Sequence, residues 1–306
     1  MGTALTVLLV VANVVILVPI ALALLDQRSS SFRSTYDREV ARGLARPAAR
    51  APVTEADLAK LPPLVQTYLR RAGVVGKPRV HDVRVRWRAQ MKPARDAGWM
   101  DARVEQTSFF DVPTRLFLMD ATRYGVPFQA FHRYIGPTAT MQVRVASFFT
   151  VVDARGPQMN QSETVTMWND MCVLAPATLV DADARWQTLD EGTVRSWFRN
   201  QGHTIAADLT FDADGDLVGF VSNDRFESAD GKTYESYPWS TPLSDYRDFG
   251  GVRVAARGEA VWKEPAGDFV YGRFVIEEIA YNAGARPATL SADVSVSAVP
   301  EAAGAR

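Results

Sequence analysis

Asp82-Val83-Arg84-Val85-Arg86-Trp87-Arg88-Ala89-Gln90-Met91 changes from polar to apolar at every step. A period of two puts Val83, Val85, Trp87, Ala89 and Met91 on one face and the polar side chains on the other, as in a strand with one buried and one wet face. The alternation returns in Ala102, Val104, Gln106 and Ser108, in Met141, Val143 and Val145, and in Ile205, Ala207, Leu209 and Phe211. Residues 115–120, 195–199, 217–226, 252–262 and 269–281 add further strand-like runs. Roughly nine or ten strands joined by Gly, Asp and Pro turns predict an α+β, mainly β fold: a large curved antiparallel sheet or half-open barrel with few helices.

Helical spacing occurs in two places within this domain, which is expected over residues 54–282. Thr54 is an N-cap candidate ahead of Leu58, Leu61, Leu64, Val65, Tyr68 and Leu69, a stripe that ends near Gly73. Between strands, residues 162–174 carry Val165, Trp168, Met171, Cys172 and Leu174 and stop at Pro176, and a short helical turn follows over residues 177–180. The stretch 283–306, rich in Ala, Ser and Val, is expected to be a loosely ordered tail.

Ahead of the domain, residues 3–25 contain no ionisable side chain. Such a run spans about 34 Å as a helix, enough to cross a hydrocarbon core, so residues 1–26 are expected to be a single transmembrane anchor contacting the bilayer through 3–25. A cleavable signal peptide is the rival reading, because Ala21-Leu22-Ala23 resembles a small-x-small site. The missing basic leader and the length of the run oppose it. Arg28, Arg33, Arg38, Arg42, Arg46 and Arg50 follow the run and no cation precedes it, which favours a cell-membrane protein whose domain faces the cytoplasm. Only five lysines accompany the arginines, so part of this charge reflects a chain-wide arginine bias. Residues 27–53 read as a polar basic linker with a possible short helix over 34–44, lying either against headgroups or in solvent.

Charge and motif searches exclude several classes. A net charge of −1 gives no footprint for nucleic acid. Cys172 is the single cysteine, and in its apolar helix it reads as a packed thiol. His81, His132 and His203 show no metal-ligand spacing, and Asp212-Ala213-Asp214-Gly215-Asp216 is a hairpin turn in preference to a calcium loop, because an EF-hand would need Gly and Glu where Leu217 and Asn223 stand. No nucleophile elbow, phosphate loop or dinucleotide fingerprint is present, and no metal or cofactor is expected.

The polar residues that resist a surface reading are Glu163, Asn169 and Asp170 on the second helix, the Asn223-Asp224-Arg225 run, expected inside a strand, and Trp239-Ser240-Thr241-Pro242. Glu163 and Asp170 lie seven residues apart and share a helical face, with Thr166 and Asn169 between them. Structural ion pairing is one role for this set, and a polar site the other.

With Glu163-Thr164-Val165-Thr166-Met167-Trp168-Asn169-Asp170, Asn223-Asp224-Arg225, Trp239-Ser240-Thr241-Pro242, Val270-Tyr271-Gly272 and Leu61-Pro62-Pro63-Leu64-Val65-Gln66-Thr67-Tyr68-Leu69 in view, the chain resembles an uncharacterised bacterial family of single-anchor membrane proteins. The resemblance implies a domain similar to the lipoprotein-carrier half-barrel, with helices held in the concavity of a curved sheet. No activity comes with it.

Three functions follow. A membrane-tethered, non-catalytic domain for a hydrophobic ligand or lipid would use Trp168, Asn169, Asp170, Arg225 and Trp239 at the ligand, with an apolar lining drawn from Phe109, Phe110, Phe117, Phe128, Phe131, Phe148, Phe149, Trp168 and Trp197. A carboxylate-based enzyme would need Glu163, Asp170 and Asp224 to converge. A scaffold or partner-binding domain would expose an apolar patch.

Overall fold

The computed structural model describes residues 32–46, 51–146 and 149–284. The expected anchor, and the expected tail beyond residue 284, lie outside the described residues, and no helix among the described residues is long and apolar enough to cross a membrane.

The alternating segment 82–91 sits at the centre of the sheet. β1 (Asp82–Met91) pairs on one side with β2 (Met100–Phe109) and on the other with β15 (Gly267–Tyr281). From β2 the chain meanders outward through β3 (Thr114–Arg123), β4 (Val126–Ile135) and β5 (Thr138–Val145) to the edge strand β6 (Phe149–Arg155). On the other side of β1 the order from β15 is β14 (Val252–Glu264), β13 (Trp239–Phe249), β10 (Leu217–Ser222), β9 (His203–Phe211), β8 (Thr193–Asn200) and the far edge β7 (Ala184–Thr188). Every pairing is antiparallel, so the described sheet of thirteen strands is two meanders joined where the first strand meets the last. A separate two-residue pair, β11 (Phe226–Glu227) with β12 (Glu235–Ser236), lies between β10 and β13 in sequence.

Between the two edges the chain must cross the whole sheet, and it does so as helix α4 (Pro157–Leu174). At about 1.5 Å per residue this helix covers some 27 Å, enough to traverse the concave face. Burial is nearly complete, from Met159 and from Ser162 through Leu174, because one side meets β8 and β9 and the other meets the inner face of the first meander. The helix starts five residues before the expected residue 162, with Pro157 in its first turn, where a missing N–H costs nothing. A 3₁₀ turn (Pro176–Val180) then leads to β7.

One end of the half-barrel is plugged by α2 (Glu55–Leu58) and α3 (Pro63–Arg71). Thr54 caps α2, exchanging bonds with Asp57. Buried Leu58, Val65, Tyr68 and Leu69 face the core, and the Tyr68 hydroxyl donates to the Cys172 carbonyl at 2.8 Å. Arg71 and Arg253 both bind Asp216 at the Asp212–Asp216 turn, which ties the plug to the sheet.

Residues 27–53 require a correction. The expected helix over 34–44 is present as α1, residues 32–44, but it packs on the outer face of β2 to β4 in place of lying in solvent or against headgroups. Phe32, Tyr36 and Val40 bury against Leu116, Leu118 and Phe131. The Tyr36 hydroxyl shares a hydrogen bond with Thr107 at 2.8 Å, and Arg33 grips Glu105 with bonds of 2.6 and 2.9 Å. The arginines counted as basic flank are therefore partly spent on the domain: Arg46 binds Asp111, and Arg42 binds Glu39, which also holds Arg133.

Candidate functional site

A cavity of about 490 Å³ lies between α4 and the inner face of the sheet. Its floor is the polar stripe of α4. Ser162, Glu163, Thr166, Asn169, Asp170 and Val173 recur at helical spacing and all line it, since residues three and four apart share a helical face. Its upper walls are apolar: Trp87, Met91, Met100, Phe117, Met119 and Phe274 come from the inward positions of β1, β2, β3 and β15.

The floor is held by charge. Arg115 is buried with Nε donating to Asp170 Oδ2 at 2.6 Å and Nη1 donating to Glu163 Oε2 at 3.2 Å. Gln106 Nε2 donates to the same Asp170 oxygen at 2.6 Å, and His132 Nδ1 lies 3.2 Å from Glu163 Oε1. The two carboxyls respond in opposite senses. Burial would raise Glu163, but Arg115, His132 and the more distant Arg225 hold it at about 2. For Asp170 burial wins over Arg115 and Gln106, and repulsion from Glu163 adds to it, so its pKa is raised. One arginine thus keeps Glu163 ionised while Asp170 carries the strain of sharing it.

Arg225 forms the second cationic point of the wall. Its guanidinium lies 4.6 Å from the ring centre of Trp239 and 5.0 Å from that of Trp262, and it donates to Thr166 Oγ1 at 3.3 Å and to the Tyr271 hydroxyl at 3.4 Å. Trp239 Nε1 also donates to Tyr271, at 3.0 Å, and Asn169 Nδ2 donates to Thr241 Oγ1 at 2.7 Å.

Of the expected ligand residues, Asn169, Asp170, Arg225 and Trp239 line the cavity. Trp168 does not. It points to the opposite side of α4, fully buried, stacked on Phe198 at 4.5 Å, with Nε1 donating to Ser196 Oγ at 2.9 Å. Glu163 and Asp170 meet at Arg115, but Asp224 is not with them: its carboxylate accepts the Ala206 N–H at 2.6 Å, beside the end of β10. The Asn223-Asp224-Arg225 run lies just beyond that strand and not inside it, which frees Arg225 to turn back over α4.

The expected aromatic lining also divides. Phe117 and Phe128 face the cavity. Phe109 and Phe131 pack under α1, Trp197 lies beneath Arg185, Phe110 packs at the edge of the main core, Phe149 is exposed, and Phe148 falls outside the described residues.

Arg115, Gln106, His132 and Tyr271 are the site residues that sequence reasoning missed or discounted, whereas Thr241 belongs to a segment it singled out. The trace of Arg115 was its phase: it alternates with Phe117, Met119 and Ala121, all of which line the cavity with it. Among the described residues no group of His, Cys, Asp or Glu is arranged to hold a metal ion. Cys172 is buried and its thiol is pushed up by that burial, as suits a packed residue.

Similar solved structures include a domain assigned to outer membrane lipoprotein sorting from Vibrio parahaemolyticus, 10% identical over 67% of this chain and 87% of that one, with a TM-score of 0.39. A DUF1329 family protein from Desulfovibrio piger is 11% identical over 79% of this chain and 98% of its own, with a TM-score of 0.40. A LolA superfamily protein from Nitrosomonas europaea is 10% identical over 70% and 92%, with a TM-score of 0.33. A search among curated proteins finds no match. Residues 51–274, most of the chain, match the family described as Family of unknown function (DUF6544), and the protein belongs to that family.

Proposed function

We propose that the protein is a non-catalytic binding domain for a hydrophobic molecule or lipid, tethered to a membrane by residues 3–25. The cavity carries this reading. At about 490 Å³ it falls in the range of small-molecule pockets, and it joins apolar walls to a few fixed polar groups, the combination that seats a mostly apolar ligand with one polar end. The polar end would rest on the α4 floor, within reach of Arg225 and Asn169, and the apolar part along Trp87, Phe117 and Phe274. Ala130 lines the same wall and is nearly closed from solvent. Ala130→Trp is expected to fill the space and lower saturable binding of an apolar fluorescent probe tenfold or more while the protein stays folded. Undiminished binding by a folded variant would remove the cavity as the site.

A carboxylate-based enzyme is the second reading, supported by the opposed behaviour of Glu163 and Asp170 at one arginine. Against it, both carboxyls are spent on Arg115 and the third candidate, Asp224, is elsewhere. Turnover of any substrate that is abolished by both Glu163→Gln and Asp170→Asn in folded protein would favour it.

A further inference from the structure

We propose that the hairpin-tip end of the half-barrel is a bilayer-docking surface that sets the cavity against anionic lipid headgroups. This deepens the binding reading above by naming where the ligand enters.

The two ends of the sheet differ. One is closed by α2 and α3. The other carries the β1–β2, β3–β4, β5–β6 and β14–β15 turns, as the registers require: Met91 pairs with Met100, Arg123 with Val126, Val145 with Phe149 and Glu264 with Gly267. The cavity reaches this second end, where Met91, Lys92, Met100, Arg123, Phe128 and Val151 line it.

Exposed apolar side chains gather there. Among the described residues six large hydrophobic side chains are exposed, and four of them, Tyr124 at 90%, Phe149 at 70%, Val151 at 52% and Val126 at 39%, belong to the β3–β4 and β5–β6 tips. Val112 and Leu189 sit at the plugged end, in the turns after β2 and β7. Tyr124 and Gly125 form the two-residue turn with φ of 52° and 77°. That left-handed first position suits Asn or Gly better than an aromatic, and the exposed Tyr124 ring carries the Arg123 guanidinium 5.2 Å from its centre.

Charge fits the same partner. Between Asp120 and Asp153 the sequence has no carboxylate, while Arg123, Arg133 and Arg144 lie within it. Arg133 is paired with Glu39 on the outer face and Arg144 lies over the Phe32 ring, whereas Arg123 and Lys92 line the cavity at the tips, where they suit anionic headgroups.

The direction of α1 adds an independent constraint. Along α1 the partners on the sheet run from Glu105 at Arg33, through Thr107 at Tyr36, to Asp111 at Arg46. Its N-terminal end therefore lies level with Asp120 and Arg144, near the β3–β4 tip. Only six residues separate Phe32 from the apolar run that ends at Leu25, and six residues reach about 20 Å at most. A bilayer on the side of the tips is within that reach of Phe32.

The test uses the full chain reconstituted in phosphatidylcholine vesicles with and without phosphatidylglycerol. An environment-sensitive fluorophore is placed on Val126→Cys, or on Val112→Cys at the plugged end, in a Cys172→Ser background. Lipid-borne quenchers are expected to quench the label at 126 at least threefold more than at 112, more so with phosphatidylglycerol, and Arg123→Glu is expected to reduce that anionic-lipid increment. Equal quenching at both positions, stronger quenching at 112, or no association of the chain with vesicles would overturn the proposal. Saturable probe binding by the same preparations is read separately, so a cavity that binds without tip contact would overturn docking and leave the binding reading standing.

Discussion

Arg115 is the residue on which the cavity floor depends. It is buried between two carboxyls, and its removal leaves Glu163 and Asp170 without the cation they share. Arg115→Met is expected to cost about 3 to 5 kcal/mol in chemical denaturation, the range for breaking a buried ion pair from one side. The two carboxyls separate in pH. Glu163 falls from an ordinary 4.5 to about 2 in the folded protein, so its contribution is fully present above pH 4.5 and is lost as pH falls towards 2. The raised Asp170 acts with the opposite sign, since its ionisation costs stability as pH climbs past the ordinary 3.8. Glu163→Gln should therefore destabilise at neutral pH by more than Asp170→Asn and should flatten the loss between pH 4.5 and 2. Urea midpoints across that range, with equal midpoints for the two variants as the adverse result, decide it.

Half of this floor was legible. The spacing of Glu163, Thr166, Asn169 and Asp170 follows from helix geometry alone, and they do share a face. Trp168 was misplaced because a helix buried all round has no apolar side to mark as the cavity side, and only its partners Phe198 and Ser196, from a strand distant in sequence, decide where it points. Asp224 was misplaced because a strand was extended through residues where the chain turns.

Among the elements, α1 shows most clearly what local pattern cannot report. Residues 32–44 look polar because Arg33, Arg38 and Arg42 are read as solvated, yet the intervening Phe32, Tyr36 and Val40 are a buried stripe at helical spacing. Their receiving surface is Leu116 and Leu118 on β3 with Phe131 on β4, and alternation does not reveal β4, because Phe128 and Ala130 face the cavity while Phe131 faces α1. With both faces covered, a strand loses its period-two signature. The closeness of the fit is set by Gly43. A β-carbon there would fall 2.3 to 2.7 Å from atoms of the buried Phe109 ring. Gly43→Val is expected to cost about 1 to 3 kcal/mol as an overpacked contact. Hydrogen exchange should show lost protection in residues 32–44 with β8 and β9 unaffected, and retained protection of α1 would show that this contact yields. Truncation to residue 52 uncovers Leu116, Leu118 and Phe131, so a stable fragment must begin before Phe32.

At the scale of the molecule, the first and last strands pair at the centre and the crossing helix fills the concavity only in part. That topology leaves one end plugged, one end open and a cavity between them. The mainly antiparallel, curved architecture was readable from the alternation of β1 and its successors, since the period of two is local. The cavity was not, because its walls come from Trp87, Phe117 and Phe274 on three strands and its charge from Arg115 on β3 against α4. An apolar ligand is expected to fill this space. The most direct measurement is native mass spectrometry of the full-length protein purified in mild detergent, with lipid extraction of the same sample, beside Ala130→Trp prepared identically. A discrete bound lipid or apolar molecule is expected at about one per chain in the parent protein, and is expected to be lost from the folded Ala130→Trp variant. A folded parent protein that carries no such molecule and shows no saturable uptake of an apolar probe would contradict it.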